Sequence, residues 1–379
     1  MGGAFHMQKK VLAQEKIKDN PVMSENDNEI SDEHSHNGSS SEYDSSSEEE
    51  YFSESEDDFH GEEEEKVHDY SLVQMLGKGG FGVVWEAMKD DQHFALKIGR
   101  INDEKNKYET NREIEAMKKL SSETHENVIQ MIEEFEHEVN VKTKHTVIVF
   151  PLFQQDLERY IRDCEGMSLR EVQDIFPKIL QGLSFIHKHG MVHTDLKPNN
   201  ILINLDSEKQ NIKDIVIGDF GCASWDTSIC KYGKTSCYRS VNIILNEKAT
   251  PEDDIWSCGC ILFEMLTNQY LFDPDVTSDS TSSYDSENSD KLHLMLMLEV
   301  LGPFPKKLAL KHRKYFNAKG CLKGNPRPAR LDIGTIFQEE SELSENKIPI
   351  VSRLILSMLK YWKRQRATIT EILEDPFFN

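Results

Sequence analysis

The chain has 379 residues, with 44 Lys and Arg against 67 Asp and Glu, a net charge of -23 and a hydrophobic fraction of 37%. The length allows two to three structural units with a large core, while the thin apolar content points to a part that does not fold. So acidic a chain would repel nucleic-acid phosphates, which argues against a general nucleic-acid binder and in favour of basic partners.

The charge imbalance is concentrated at the start. Residues 1–66 hold 20 acidic residues against five lysines, a net of -15, leaving -8 for the other 313. Gly2 follows Met1, but His6 stands where the N-myristoylation pattern needs Ser or Thr, and no secretory signal is visible, so neither lipid anchor nor leader is expected. From Ser31 to Glu65 the sequence is Ser, Glu and Asp with a few aromatics and no apolar periodicity, and residues 1–66 are expected to be a disordered acidic extension. Its run Ser45-Ser46-Ser47-Glu48-Glu49-Glu50 resembles substrates of acidophilic kinases of the casein kinase 2 type; a solvated acidic tail is the plainer alternative.

Order is expected from near Tyr70. Ser71–Leu76, Val83–Trp85 and Phe94–Leu96 are rich in strand formers, with glycine clusters and Asp90-Asp91 as turns, and read as an antiparallel meander. Tyr108 to Leu120 places Ile114, Met117 and Leu120 at helical spacing, and Thr146 to Phe150 returns to strand. From Leu157 the pattern is mainly helical: Leu169–His189, Asp253–Leu266, His293–Leu301, Ile350–Leu359 and Thr368–Leu373. Val276 to Asp290 is again Ser, Thr, Asp and Glu and reads as a polar acidic insert between helices. The longest apolar runs, such as Cys260–Leu266, are far too short to span a bilayer. Seven cysteines lack a C-x-x-C pair, and Cys258-x-Cys260 has the wrong spacing for a zinc knuckle, so reduced intracellular thiols are expected.

Gly77-x-Gly79-x-x-Gly82 lies between two strands. The same spacing marks dinucleotide folds, but there a helix follows, whereas here Val83-Val84-Trp85 is strand. A glycine-rich hairpin lets backbone N–H groups meet phosphate oxygens, with Val84 covering an adenine face. Lys97 closes the strand Ala95-Leu96-Lys97 and can be held by Glu113 of the next helix and pointed at phosphates; Glu115 is the competitor on another helical face. His193-Thr194-Asp195-Leu196-Lys197-Pro198-Asn199-Asn200 then precedes the strand Ile201–Ile203, and Asp219-Phe220-Gly221 follows the run Ile215–Ile217. Phosphoryl transfer needs a carboxylate near the attacking hydroxyl, a cation on the transferred group and oxygen ligands for magnesium. Asp195, Lys197, Asn200 and Asp219 supply these in the order and spacing of the protein-kinase signature set.

The stretch from Tyr70 to Asn379 therefore resembles eukaryotic protein kinases. That resemblance implies an α+β, bilobal kinase fold over residues 67–379, with a small antiparallel β-rich lobe at 67–152 and a larger, mostly helical lobe at 153–379. It implies Asp195 as catalytic base, Lys197 as γ-phosphate contact, Asn200 and Asp219 as Mg2+ ligands, and Lys97 with Glu113 as the strand–helix ion pair. ATP is expected along Leu76, Gly77, Lys78, Gly79, Gly80, Phe81, Gly82, Val84, Ala95 and Lys97, with Phe150 as gatekeeper, Pro151 and Phe153 in the hinge and Asp156 at the ribose. Pro151 has no N–H, but the hinge uses its carbonyl, the donor coming from Phe153. Asp254 resembles the anchor of the catalytic loop and Arg366 the late arginine of the large lobe.

Two details narrow the branch. Thr194 stands where most regulated kinases carry the Arg that receives an activation-loop phosphate, which implies activity as folded or another switch. Thr235-x-x-Tyr238-Arg239-Ser240 resembles the branch holding cyclin-dependent, mitogen-activated, LAMMER and SR-protein kinases. Trp85, Tyr270–Pro274, Leu301–Leu308 and Tyr315–Lys323 resemble SR-protein kinases, while the LAMMER string Glu-His-Leu-Ala-Met-Met-Glu-Arg is replaced by Leu292–Glu299. The implied activity is transfer to serines in Arg/Ser-rich segments of splicing-type proteins by a cytoplasmic or nuclear monomer, with no nucleic-acid or membrane partner. Glu299, Tyr238 and Arg239 are the expected substrate contacts, with Asp285, Glu287 and Asp290 as possible helpers. The alternatives are a LAMMER-like or other enzyme of the branch and a catalytically silent scaffold. The long spacer usual in SR-protein kinases is absent, since only Asn204 to Asp214 separates the catalytic loop from the next strand. Asn242 replaces the Glu that pairs with Arg366, and its amide oxygen is expected to accept one hydrogen bond.

Overall fold

Alternating side chains divide the first half of the chain into two faces. The computed structural model describes residues 59, 61–79, 82–99, 104–140, 143–206, 211–225, 237–274, 286–324 and 330–378. Strands β1 (Lys66–Val67), β2 (Tyr70–Gly79), β3 (Gly82–Lys89), β4 (Gln92–Gly99), β5 (Glu133–Asn140) and β6 (Thr143–Pro151) form one antiparallel sheet in the order β1-β2-β3-β4-β6-β5. In register, Val83 meets Ile98, Trp85 meets Leu96, and Leu96 and Ile98 meet Val149 and Val147. Directly opposed residues share a face, so these fill one small core together with Val67, Tyr70 and Leu72. The other face carries Val84 against Lys97, Ala95 against Phe150 and Lys97 against Ile148. Ile148 and Phe150 belong to the large core of the helical half, which therefore runs unbroken past the back of the cleft.

Helix α1 (Glu104–Leu120) buries Glu113, Ala116, Met117 and Leu120 and leaves Glu115 exposed. The helical half holds α2 (Leu157–Asp163), α3 (Leu169–Lys188), α4 (Val241–Ile244), α5 (Pro251–Thr267), α6 (Ser286–Leu301), α7 (Lys306–Ala309), α8 (Ile333–Glu340), α9 (Ile348–Met358) and α10 (Ile369–Leu373). Helix α3 starts on a capping box between Ser168 and Glu171. Helix α5 starts on another between Thr250 and Asp253, ends at a left-handed Asn268, and is the buried axis of this half. A second antiparallel sheet, β7 (Gln155–Asp156), β8 (Ile201–Leu205) and β9 (Ile212–Ile217), carries the catalytic loop into β8. Among the described residues no helix is long and apolar enough to cross a membrane.

Three expectations shift. Packing begins before Lys66: Phe59 is 7% exposed in the small core, edge-on to His137 and His145. The insert expected to reach Asp290 stops earlier, because Ser286 to Asp290 are the first turns of α6. Strand β5 was not foreseen; its sequence EEFEHEVN hides period-two alternation behind glutamates, which an edge strand tolerates. Residues 1–58 and 60 of the acidic extension, and Asp285, lie outside the described residues.

Candidate active site

The nucleotide side is built by the β2–β3 hairpin. Gly79 pairs with Gly82, whose φ is 143° and where an added Cβ would sit 2.1 Å from the Ile98 carbonyl oxygen, so only glycine lets β3 approach β4 here. At Gly77 and Gly79 an added Cβ would meet nothing within 4 Å, so the protein leaves the space beside this strand unfilled. Leu76 and Lys78 are exposed on β2, and Gly80 and Phe81 lie outside the described residues. Val84 and Ala95 are half-buried on the face that carries Lys97, and buried Phe150 closes that face. Pro151 ends β6 opposite Phe94, and half-buried Phe153 packs on the large core. Asp156 caps α2 by accepting the Arg159 N–H at 2.8 Å; burial pushes its carboxyl up.

Lys97 Nζ lies 2.6 Å from Glu113 and 2.8 Å from Asp219, so strand, helix and the Asp219 turn converge on one cation. Burial works against the Lys97 charge, but the two carboxylates outweigh it and hold its pKa above the ordinary value. Burial would likewise raise Asp219, yet Lys97 holds that carboxyl down to about 2. Glu113 is the most enclosed, and burial pushes it up against the pull of Lys97.

The catalytic loop is clamped from below. Asp254 of α5 accepts the His193 and Thr194 N–H groups, both at 2.9 Å, as well as His187 Nε2 at 2.8 Å, while His193 Nε2 meets the Gly218 carbonyl at 2.9 Å. Thr194 is held at φ 67°, an uncommon conformation for a β-branched residue, with its hydroxyl donating to the Cys222 carbonyl at 2.6 Å. The loop tip is thus over-determined and presents Asp195, which is 8% exposed. Lys197 Nζ (3.2 Å) and Asn200 Nδ2 (3.3 Å) both contact Asp195 Oδ2, leaving Oδ1 to meet a hydroxyl. Asn200 Nδ2 also donates to the Asp195 carbonyl at 2.7 Å, so Oδ1 is the Asn200 atom left to ligate. An ionised Asp219 and the Asn200 amide oxygen are hard oxygen donors. Such donors fit Mg2+, which takes oxygen ligands.

On the acceptor side Tyr238 and Arg239 line a recess shared with Asp195. Tyr238 is buried and donates to Glu264 Oε2 at 2.6 Å. Glu299 is only 5% exposed on α6, and its carbonyl accepts the Leu331 N–H, so its side chain has little surface to offer a docking peptide. Asp290 is engaged by the Tyr315 hydroxyl at 2.7 Å. Sequence reasoning missed two acids: Glu264 of α5 and Glu158 of α2, which accepts from Asn199, from the Tyr270 hydroxyl at 2.9 Å and from Arg162. Burial, aided by Glu158, raises Glu264 to about 8. A carboxylate inside the apolar run Cys260–Leu266 was the available signal for Glu264; Glu158 offered none.

The expected amide contact forms, for Arg366 donates to Asn242 Oδ1 at 2.6 Å. The counter-charge, however, is Asp253, 3.0 Å from Arg366 and 2.8 Å from Lys363.

Residues 70–378 match the protein kinase domain family. Mitogen-activated protein kinase 6 of Arabidopsis thaliana is 28% identical over 314 residues, covering 81% of this chain and 72% of that protein. The human dual specificity protein kinases CLK4 and CLK2 are each 28% identical, covering 82% of this chain and 66% and 64% of theirs. With the ion pair, the clamped loop and the oxygen donors in place, the chain belongs to the protein kinase domain family and is a Ser/Thr protein kinase of the CMGC branch.

Proposed function

We propose that this kinase uses ATP and Mg2+ to phosphorylate serines flanked by arginine, as in Arg/Ser-rich segments, and does so without activation-loop phosphorylation. The observation that carries the substrate class is a pair of neighbouring buried acids, Glu158, which holds Asn199 next to Asn200 of the catalytic loop, and Glu264, which holds Tyr238. Glu158 already holds the half-exposed Arg162 guanidinium, so this carboxylate is placed to share charge-assisted hydrogen bonds with a substrate guanidinium beside the acceptor serine, and Glu264 adds a second acid next to it. The net charge of -23 would draw basic segments from a distance.

Asp195 Oδ1 receives the serine proton as the serine oxygen bonds the γ-phosphorus of ATP and the bond from that phosphorus to the ADP oxygen breaks, and Lys197 neutralises charge beside it. Lys97, fixed by Glu113 and Asp219, orients phosphate oxygens, while the Gly77–Gly82 hairpin covers them with backbone N–H groups. Bound Mg2+ supplies charge neutralisation on the phosphates. Phosphate independence is supported by Thr194, which ties the loop to Cys222 with its own hydroxyl where an Arg would wait for a phosphate.

Radiolabel transfer from ATP to an Arg-Ser repeat peptide and its Lys-Ser counterpart tests the proposal. Wild type is expected to label the first far better, because Lys cannot reproduce bidentate guanidinium recognition, and Asp195→Ala to label neither. Equal labelling of both peptides would refute the arginine requirement. A second reading, tyrosine as an additional acceptor, is favoured by the dual-specificity names of the two human relatives. Phosphotyrosine in hydrolysates of labelled peptide arrays would support it.

A further inference from the structure

Helix α1 is tied to the segment after Asp219 by two neighbouring residues. Glu113 accepts the Phe220 N–H besides holding Lys97. Arg112, the residue before it, is 6% exposed, and its Nε donates to the Ala223 carbonyl at 2.5 Å. Its guanidinium lies 4.1 Å from the Trp225 ring centroid and 5.6 Å from that of Tyr108, whose hydroxyl it also meets at 3.0 Å. A buried arginine stacked on a ring makes a directional contact that an apolar side chain would not. Successive helical residues point about 100° apart. Contacts at both 112 and 113 therefore fix the rotation of α1, which a single contact would leave free.

We propose that Arg112, with Trp225 as its platform, is a positioning residue that holds α1 at the rotation where Glu113 meets Lys97, so that the ion pair assembles with no phosphate on the activation segment. The proposal rests on the reading that the enzyme is active without loop phosphorylation. Thr194 and Arg112 then divide the task. Thr194 ties the catalytic loop to Cys222, and Arg112 ties the helix to Ala223 and Trp225, so both anchors close on the same short stretch.

The test uses the full chain, treated with phosphatase and shown by intact mass to carry no phosphate. On the array peptide that wild type labels best, Arg112→Gln and Trp225→Ala are expected to lower kcat/KM roughly 10- to 100-fold, as misplacement of a catalytic group does, with little change in Tm. Trp225→Phe keeps a ring face and is expected to retain most activity. In a Glu113→Gln background, Arg112→Gln should add less than about a twofold loss, because a residue acting through Glu113 has nothing left to position. Wild-type kinetics in Arg112→Gln, or the same fold-loss with and without Glu113, would overturn the proposal. Should Arg112→Gln fold poorly, the Trp225→Ala and Trp225→Phe comparison decides, equal activity in the two overturning it. Wild type that is silent until phosphorylated would overturn the phosphate-independent reading together with this one. Active wild type with indifferent variants would overturn this one alone.

Discussion

Glu264 shows how one carboxyl can couple stability to recognition. Its folded pKa of about 8 lies above the ordinary 4.5 because burial disfavours the anion. The folded chain therefore keeps a proton that the unfolded chain loses, so this group favours the fold below about pH 4.5 and its contribution is lost as pH rises toward 8. His293 acts in the opposite sense: burial and Arg239 hold it near 3, so its neutral form costs stability as pH falls below about 6.5. Comparison with Glu264→Gln isolates the first effect. The variant is expected to unfold at a higher temperature than wild type at about pH 8, the two converging near pH 5. It should also raise KM for the Arg-Ser peptide, since Gln can keep the Tyr238 hydrogen bond but cannot ionise when a substrate guanidinium arrives. A constant offset in melting temperature across that pH range would sink this account.

Among the elements, the start of α5 carries the most concentrated electrostatics. Asp253 caps the helix, accepts from Ser240 at 2.6 Å and pairs with both Lys363 and Arg366. Asp253→Asn would leave a fully enclosed guanidinium with amide and carbonyl partners only, and should cost about 3–5 kcal/mol in chemical denaturation. Asn242→Glu restores the residue expected from related kinases, yet no gain is expected. The Asn242 amide nitrogen donates to Glu247 at 2.7 Å, and a carboxylate there would face a second one. A clear stabilisation by Asn242→Glu would contradict that account. The contrast shows what sequence discloses at this scale. Apolar spacing gave α1, α3 and most of α5, because each buries one face or all of itself. It missed β5, whose glutamates mask the alternation, and the first turns of α6, where Ser and Asp continue a helix that apolar residues complete. Lys97, Glu113, Asp195, Asn200 and Asp219 were legible because their chemistry demands those residue types at those spacings. Glu158 and Glu264 were not, because they meet only when α2 and α5 pack beside the catalytic loop.

For the whole molecule, charge and core divide the work. The core is continuous from Phe150 through Trp256 to Phe377, so the halves are joined by packing at the back of the cleft. On the proposed substrate class, the net charge of -23 would attract basic segments, an attraction that salt screens. KM for the Arg-Ser peptide is therefore expected to rise several-fold between about 50 and 300 mM salt, while KM for ATP, set by buried contacts, changes far less. Equal salt dependence of the two constants would show that long-range attraction plays no part. The thiols give the same molecule a set of internal timers. Cys164 and Cys321 are exposed, whereas Cys222, Cys237, Cys258 and Cys260 are buried, and burial pushes Cys222 well above the ordinary thiol range. Because Cys222 adjoins the Asp219 turn and its carbonyl receives Thr194, the rate at which an alkylating reagent reaches it counts how often that turn comes away from the catalytic loop.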